Sequence, residues 1–220
     1  MDDLLRELKP HGSFRTITRG GNVLFQGEIP RHVMVVRSGI VRAYTITSIG
    51  EERTVALYGD GDIIPLTWVL GATADSFFYY EAVTDCRIFQ VSKPAFDDYL
   101  SANPERLRAM LSRTATIYTS LLLRITGLEQ SRAIEKIGFT LYYLLFTRSK
   151  EIRPGVFRID VRLSHALFGS LVGLTRESTA KNMKLLRDRK IIDYSSFTYT
   201  VNKAKLEAFL GEDSFRDLSM

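Results

Sequence analysis

Three stretches with different spacing of hydrophobic residues divide the chain. From Phe14 to about Ser92, short β-rich runs alternate with glycine-containing turns at intervals of roughly ten residues. Strands of about five to seven residues joined by tight turns produce this pattern, which predicts an antiparallel β-roll. The predicted strands are Val23–Phe25, Val33–Val36, Ile40–Ile46, Arg53–Tyr58, Phe77–Val83 and Arg87–Val91.

The second stretch predicts a long helix at residues 103–129, which starts at Asn103 and Pro104 because Asn caps a helix and Pro fits its first turn. Its apolar residues recur in steps of four and three, which is typical of a coiled-coil seam. A second stripe, Met110, Ile117, Leu122 and Leu123, lies off that seam, so one face could meet a partner helix and another the β-roll. The spacing favours a parallel homodimer over a buried helix of a single chain. The seam consists of Leu107, Leu111, Thr114, Tyr118, Leu121, Ile125 and Leu128.

The third stretch, residues 130–220, predicts a winged helix-turn-helix. A helix at Arg132–Phe146 and a hairpin around Pro154 and Gly155 precede two short helices, Ser164–Leu171 and Thr175–Arg187. Gly173 lies between these helices, and a short turn that contains glycine is typical of a helix-turn-helix. Two strands, Ile191–Tyr194 and Phe197–Val201, form the predicted wing. With the β-roll and its flanking short helices at residues 1–102, the predicted fold class is α+β.

The positive charge of the chain is concentrated near its C-terminal end. Residues 1–146 hold 16 Lys and Arg against 16 Asp and Glu, whereas residues 147–220 hold 14 against 9. Six basic residues and only two acidic ones lie between Thr175 and Lys190. Such a cluster neutralises phosphates, although a solvated helix face gives the same composition.

Composition excludes several other classes of protein. The N-terminus has no apolar run like that of a secretory signal, and no stretch reaches the ~18 apolar residues of a membrane span, so we expect a cytoplasmic protein without a membrane partner. Cys86 is the only cysteine, which argues against an iron–sulfur cluster. Three scattered histidines, His11, His32 and His165, give no support for haem.

The order of β-roll, long helix and winged helix-turn-helix resembles the Crp/Fnr transcription regulators from about Phe14 to Leu210. The most specific similarity is the run from Leu163 to Leu186, with Gly169 in the first helix, Gly173 in the turn, and Thr175-Arg-Glu at the start of the second helix. In the roll, Phe25-Gln-Gly-Glu, Arg37-Ser-Gly-Ile-Val-Arg and Gly61-Asp-Ile-Ile are similar to the family's cyclic-nucleotide-binding-like domain. The resemblance implies a non-enzymatic regulator that binds double-stranded DNA as a homodimer, with RNA polymerase as a partner if it activates.

By position, the resemblance implies that side chains of the second helix read base edges: Arg176, Glu177, Ser178, Ala180 and Lys181. Arginine donates to guanine and glutamate accepts from cytosine, which suits this role. The same comparison implies phosphate contacts from Ser164, Thr175, Lys184 and Arg187. Thr179 and Asn182 depart from the family pattern, which has aliphatic residues there. We therefore expect either hydrogen bonds within the domain or a slightly rotated helix.

The effector region departs from the cyclic-AMP-binding pattern. No carboxylate directly follows Ile64, and no arginine precedes Phe77 to neutralise a cyclic phosphate, so cyclic AMP is disfavoured together with haem and iron–sulfur clusters. The aromatic residues there form either a filled core or a pocket for a small apolar effector. The residues of that predicted pocket are Trp68, Phe77, Phe78, Tyr79, Tyr80, Leu122 and Leu123.

Two alternative functions remain open. One is a constitutive, effector-independent DNA-binding regulator whose roll serves only as a scaffold. The other, more remote, is a cupin-like enzyme, which needs a cluster of His and Glu around a metal inside its barrel, whereas the roll offers only His32.

Overall fold

A computed structural model describes residues 2–211 of the chain. These residues form two compact units, one ending at Arg113 and the other beginning at Thr114. The outer ends of the predicted ranges 1–102 and 130–220, residue 1 and residues 212–220, lie outside the described residues. The long helix, α4 (Pro104–Glu129), contains the boundary between the units.

The first unit is built from two four-stranded antiparallel sheets. Its strands are β1 (Gly12–Ile17), β2 (Asn22–Leu24), β3 (Val33–Ser38), β4 (Val41–Ile46), β5 (Glu52–Tyr58), β6 (Ile63–Ile64), β7 (Tyr79–Ala82) and β8 (Cys86–Val91). One sheet has the order β1-β8-β3-β6 and the other β2-β7-β4-β5. Three helices accompany them: α1 (Asp2–Leu8), α2 (Leu66–Val69) and α3 (Lys93–Ser101).

Strand β3 has four consecutive buried residues because it is covered on both faces. Met34 and Val36 belong to the core between the two sheets. Val33 and Val35 point to the opposite face and pack with Leu4 of α1 and other residues of a second core. A strand covered on both faces shows a continuous hydrophobic run rather than an alternating one.

The second unit contains α5 (Ala133–Arg148), β9 (Ser149–Arg153), β10 (Val156–Ile159), α6 (His165–Val172), α7 (Arg176–Asp188), β11 (Ile192–Ser195), β12 (Thr198–Asn202) and α8 (Lys203–Leu210). Its antiparallel sheet has the order β11-β12-β10-β9. Residues 137–145 of α5 are all buried, since helices α6, α7 and α8 and the first hairpin pack around it. The β-roll, the long helix and the winged helix-turn-helix confirm the predicted α+β fold class.

Candidate nucleic-acid interface

Side-chain caps and one glycine define the helix-turn-helix. The Ser164 hydroxyl accepts a hydrogen bond from the Leu167 amide at 3.1 Å, and the Thr175 hydroxyl accepts one from the Ser178 amide at 3.1 Å. Each cap pairs an amide that lacks a partner in the first turn of a helix. Gly173 ends α6 in the left-handed region at φ 69°, where other residues are strained. The chain can therefore turn between α6 and α7 within a few residues.

The two helices approach closely at Gly169. A Cβ atom on Gly169 would lie 2.6 Å from the Leu174 carbonyl oxygen and 3.0 Å from the Thr179 hydroxyl. Thr179 is fully buried, and its hydroxyl donates to the Thr175 carbonyl oxygen at 2.8 Å. The absence of a side chain at residue 169 thus lets α7 pack against α6.

Asn182 is also paired within α7. Its Nδ2 atom donates to the Ser178 carbonyl oxygen at 2.8 Å, and the residue is half-buried. Of the two outcomes that the sequence left open, the structure favours hydrogen bonding within the domain. Thr179 and Asn182 both satisfy a polar group locally, because each donates to the carbonyl one turn earlier.

One face of α7 is left uncovered. The buried residues of α7, which are Thr179, Met183 and Leu186, lie along the opposite stripe of the helix. Most of the predicted base-reading and phosphate residues of this helix lie on other faces: Arg176, Glu177, Lys181 and Lys184 are exposed, and Ser178 and Ala180 are half-buried. Charged side chains on an exposed helix next to a tight turn can hydrogen-bond to base edges in a major groove.

The predicted phosphate-contacting residues have different surroundings. The side chains of Ser164 and Thr175 serve as caps, and Lys184 is exposed. Arg187 is restrained: its Nε atom lies 3.0 Å from a carboxylate oxygen of Asp193, and its guanidinium lies 5.1 Å from the centre of the Tyr194 ring.

The wing is fixed against the start of α6. Ser196 and Phe197, at the tip of the β11–β12 hairpin, have φ values of 48° and 66°, as a tight hairpin turn requires. The Phe197 carbonyl oxygen accepts from the Leu163 amide at 3.0 Å, and the Tyr199 hydroxyl donates to the Leu163 carbonyl oxygen at 3.0 Å. Sequence reasoning missed Phe197 as an exposed tip residue, because neither turn position carries the usual Gly or Asn.

The first residue of α6, His165, has a pKa that is shifted by its surroundings. Burial lowers the pKa of His165, and the positive charge of Arg176 lowers it further. The His165 ring meets the edge of Tyr194 at 5.6 Å between ring centres. The neutral imidazole is therefore the favoured form in the folded chain.

The predicted seam of α4 is largely exposed. Six of its seven residues are 37% to 63% exposed, and Thr114 is half-buried. By contrast, Met110 from the second stripe is only 7% exposed, and Ile117 and Leu123 are half-buried. Helix α4 therefore has a row of large apolar side chains that face solvent in the single chain.

Arg124 is a buried cation on α4 that sequence reasoning missed. Its Nη2 atom donates to the Leu171 carbonyl oxygen at 2.9 Å, near the C-terminal end of α6, and burial lowers its pKa. Three residues later, a Cβ on Gly127 would lie 2.6 Å from the Phe139 Cβ of α5. An arginine beside an apolar seam gives no sequence signal that distinguishes this contact from an exposed charge.

The predicted effector-pocket residues lie in several surroundings. Phe78 and Tyr80 pack with the core between the sheets, and burial raises the pKa of Tyr80 to about 12. Tyr79 stacks on Tyr44 at 5.2 Å between ring centres. Trp68 packs against the second core of the roll, whereas Phe77 is exposed and so is Leu122, with Leu123 half-buried.

A cavity of about 430 Å³ lies elsewhere in the first unit. Its wall comes from α1, α3, the residues around the start of β6 and the first turns of α4, and includes Leu4, Phe96, Tyr99, Arg106 and Arg113. Arg106 is held by Asp3 and Glu7, and Arg113 lies 2.6 Å from buried Asp62. None of the five predicted aromatic residues lines this cavity.

Within residues 2–211, no three His, Cys, Asp or Glu side chains are grouped as a metal ion would require. No helix in the described part of the chain is both long and apolar enough to cross a membrane.

Comparisons with known proteins agree with this architecture. A family model of the cyclic nucleotide-binding domain matches residues 14–103, and one of the Crp-like helix-turn-helix domain matches residues 135–209. The chain is similar to the global nitrogen regulator of Synechococcus elongatus, with 26% identity over 178 residues that cover 79% of this chain and 78% of that protein. It is 22% identical over 213 residues to the fumarate and nitrate reduction regulatory protein of Vibrio cholerae, covering 96% and 81% of the two chains.

Among solved structures, FixK2 from Bradyrhizobium japonicum has the same fold, with a TM-score of 0.74, 18% identity, and coverage of 90% of this chain and 96% of that one. The relatives are named as regulators and not as enzymes, so the prediction of a DNA-binding transcription regulator is confirmed. By its two matching domains and its relatives, this chain belongs to the Crp/Fnr family of transcription regulators.

Proposed function

We propose that this regulator binds a palindromic DNA site as a homodimer, with α7 of each protomer in a major groove. The observation that carries the proposal is the uncovered face of α7, where Glu177, Lys181 and Lys184 are exposed beside Arg176. Arg176, Glu177 and Lys181 read base edges, with Ser178 and Ala180 near them. Lys184 and Arg187 contact phosphates. Ser164 and Thr175, at the starts of α6 and α7, do so with the O–H groups of the hydroxyls that cap these helices.

The exposed seam of α4 supports the dimer. A second copy presents the same heptad row, so its Leu121, Ile125 and Leu128 can cover the equivalent residues of the first copy. Each fully buried leucine or isoleucine contributes about 1.5 to 3 kcal/mol. Two copies of α7 held about 34 Å apart then match successive major grooves of one duplex.

Selection of bound fragments from genomic DNA tests this proposal. Purified full-length protein is expected to enrich a palindrome whose half-site centres lie about 10 base pairs apart, or a multiple of that distance. A variant with Arg176→Ala and Lys181→Ala serves as the control and should not enrich the same palindrome. Fragments with no shared half-site would contradict the proposal.

The roll acts, in this proposal, as a sensor for an effector other than cyclic AMP. Family members sense cyclic AMP, haem or iron–sulfur clusters, so membership alone does not determine the ligand. Between Pro65 and Ser76 there is no arginine for a cyclic phosphate, and the lone Cys86 is buried with a pKa raised by burial. The missing arginine disfavours cyclic AMP, and the single buried cysteine disfavours an iron–sulfur cluster. The three histidines are scattered along the sequence, which disfavours haem.

Effector binding would change how the two copies of α4 pack and thereby set the spacing of the recognition helices. Thermal-shift measurements of wild type and Trp68→Ala, each with fractionated metabolites and with cyclic AMP, test this sensor role. We expect a ligand-dependent shift that Trp68→Ala reduces, and none with cyclic AMP. A rise in melting temperature with cyclic AMP would contradict the exclusion of that ligand.

The constitutive regulator remains the second candidate, favoured by the apolar core that Phe78 and Tyr80 share inside the roll. Titration of the selected DNA with and without the metabolite fractions separates the two candidates, since a constitutive regulator binds equally in both. In either case we place the protein in the cytoplasm with the DNA, and RNA polymerase is its partner if it activates transcription.

A further inference from the structure

A second cationic surface lies at the C-terminal end of α7. A cavity of about 420 Å³ is formed where the C-terminal end of α7 meets β11, β12 and the start of α8. Four cationic side chains line it: Arg153, Arg187, Lys190 and Lys205. Its size falls within the range of small-molecule sites, which begins at about 300 Å³.

The charges of this cavity are poorly balanced. Asp193 is the one carboxylate in its wall, and it is paired with Arg187 at 3.0 Å. Within residues 2–211, no salt bridge joins Arg153, Lys190 or Lys205 to an acid. Like charges gathered in one concavity repel each other and attract an anion.

The floor of the cavity is the outer face of the sheet. Thr200 and Asn202 line it, whereas Tyr199 and Val201, which alternate with them along β12, are fully buried on the opposite face. Polar groups therefore accompany the cations. The Asn202 side chain accepts from the Lys205 amide at 3.0 Å and so fixes the first turn of α8 beside the cavity.

Helix dipoles account for the positions of only two of the four cations. Arg187 and Lys190 lie at the C-terminal end of α7, where cations are stabilised by unpaired carbonyl groups. Lys205, however, lies in the first turn of α8, where a cation is unfavourable, and Arg153 belongs to the end of β9. These two residues gain nothing from the dipoles of the elements that carry them.

From these contacts we infer that the cavity, defined by Arg153, Arg187, Lys190 and Lys205, binds phosphate, with room for an anion of two or three phosphate groups. It is distinct from the proposed base-reading surface: Arg187 lies eleven positions after Arg176, which is roughly 16 Å along a helix. In a helix-turn-helix, the N-terminal residues of the second helix are the ones that contact base edges. The phosphate source is either a free polyphosphate or the backbone of DNA that flanks the half-site.

Isothermal titration of the full-length protein with inorganic tripolyphosphate tests the inference. We expect saturable binding that weakens about tenfold or more in the variant Arg153→Gln with Lys205→Gln, because each substitution removes a charge-assisted hydrogen bond to the anion. Lys190→Gln alone provides a milder second variant. The matched control, Lys150→Gln with Arg158→Gln, removes equal charge from the same sheet outside the cavity and should bind as wild type does.

A parallel arm separates the two sources of phosphate. The variants are titrated with two selected DNA duplexes, one that ends at the half-sites and one extended on both sides. Loss of tripolyphosphate binding supports a free anion, and loss confined to the extended duplex supports the flanking backbone. Unchanged binding in both arms, or equal loss in the control, overturns the inference. The tripolyphosphate arm needs neither dimer nor operator, so its failure is distinguishable from failure of the proposed function.

Discussion

Helices α4 and α7 each leave one face exposed, and the two faces have opposite chemistry. On α4 the exposed row consists of leucine, isoleucine and tyrosine, and on α7 it consists of arginine, glutamate and lysine. An exposed apolar row stabilises the protein only when another apolar surface covers it, and an identical helix offers the same spacing. A charged row needs no cover in water and instead attracts a polyanion.

This difference separates two contributions to DNA binding. In the proposed complex, the α4 face sets how many copies of α7 reach the duplex, and the α7 face sets which bases each copy reads. Variants on α4 should therefore change assembly and affinity together, whereas variants on α7 should change affinity or sequence preference in an intact dimer.

The largest effect is expected for Leu121→Lys in the middle of the seam. A charge in the dimer interface should give a monomer, and loss of the second half-site should weaken operator binding about 100-fold or more. Light scattering and operator titration measure the two effects. Thr116→Lys, on the exposed face of α4 opposite the seam, should leave both unchanged. A Leu121→Lys variant that remains dimeric would contradict the proposal that this row of α4 forms the dimer interface.

On α7, we expect Arg176→Ala to cost about 1 to 3 kcal/mol per half-site on the selected sequence. The loss should be much smaller on a sequence with the contacted base replaced, because the variant no longer distinguishes the two. Competition titrations with both duplexes measure the preference, with the dimeric mass as control. Equal losses on both sequences would show that Arg176 contacts the backbone instead.

A smaller and uniform effect is expected for Lys184→Ala. If Lys184 contacts a phosphate, its removal weakens binding similarly on all sequences and reduces the slope of log affinity against log salt by about one per protomer. Affinities measured at several salt concentrations give this slope. A changed base preference with an unchanged slope would place Lys184 on a base edge.

The smallest effect concerns pH and involves His165. The pKa of His165 is lowered in the folded chain, so the unfolded chain binds more protons as pH falls. The stability present above the ordinary histidine pKa of about 6.5 is therefore lost at lower pH. The melting temperature of wild type should therefore fall more between pH 7 and pH 5 than that of His165→Gln. Equal falls in both proteins would exclude His165 as the cause.

Local signals in the sequence were sufficient for several elements. Ser164 and Thr175 precede amphipathic runs, and both act as caps. Regular spacing predicted the apolar row of α4, and Gly173 predicted the turn between α6 and α7. Strand β1, by contrast, was missed because it is mostly exposed and carries Ser, Arg and Thr instead of an alternating apolar pattern.

Residues whose role depends on distant partners could not be assigned from spacing. Arg124 looks like a surface charge in the sequence, yet it is buried and donates to Leu171, 47 positions away. The cavity beside α7 likewise gathers Arg153 and Lys205 from segments that are far apart in the chain. Thr179 departs from the aliphatic pattern of the family, yet it is buried and its hydroxyl donates to the Thr175 carbonyl oxygen.

Local patterns predicted the order of elements, the apolar row of α4 and the charged start of α7, because periodicity, caps and turn glycines act over a few residues. Long-range packing sets which side chains are covered, buries β3 on both faces, and brings four cations into one cavity. Burial and charge balance depend on segments that meet only after the chain has folded, and no local pattern encodes those meetings.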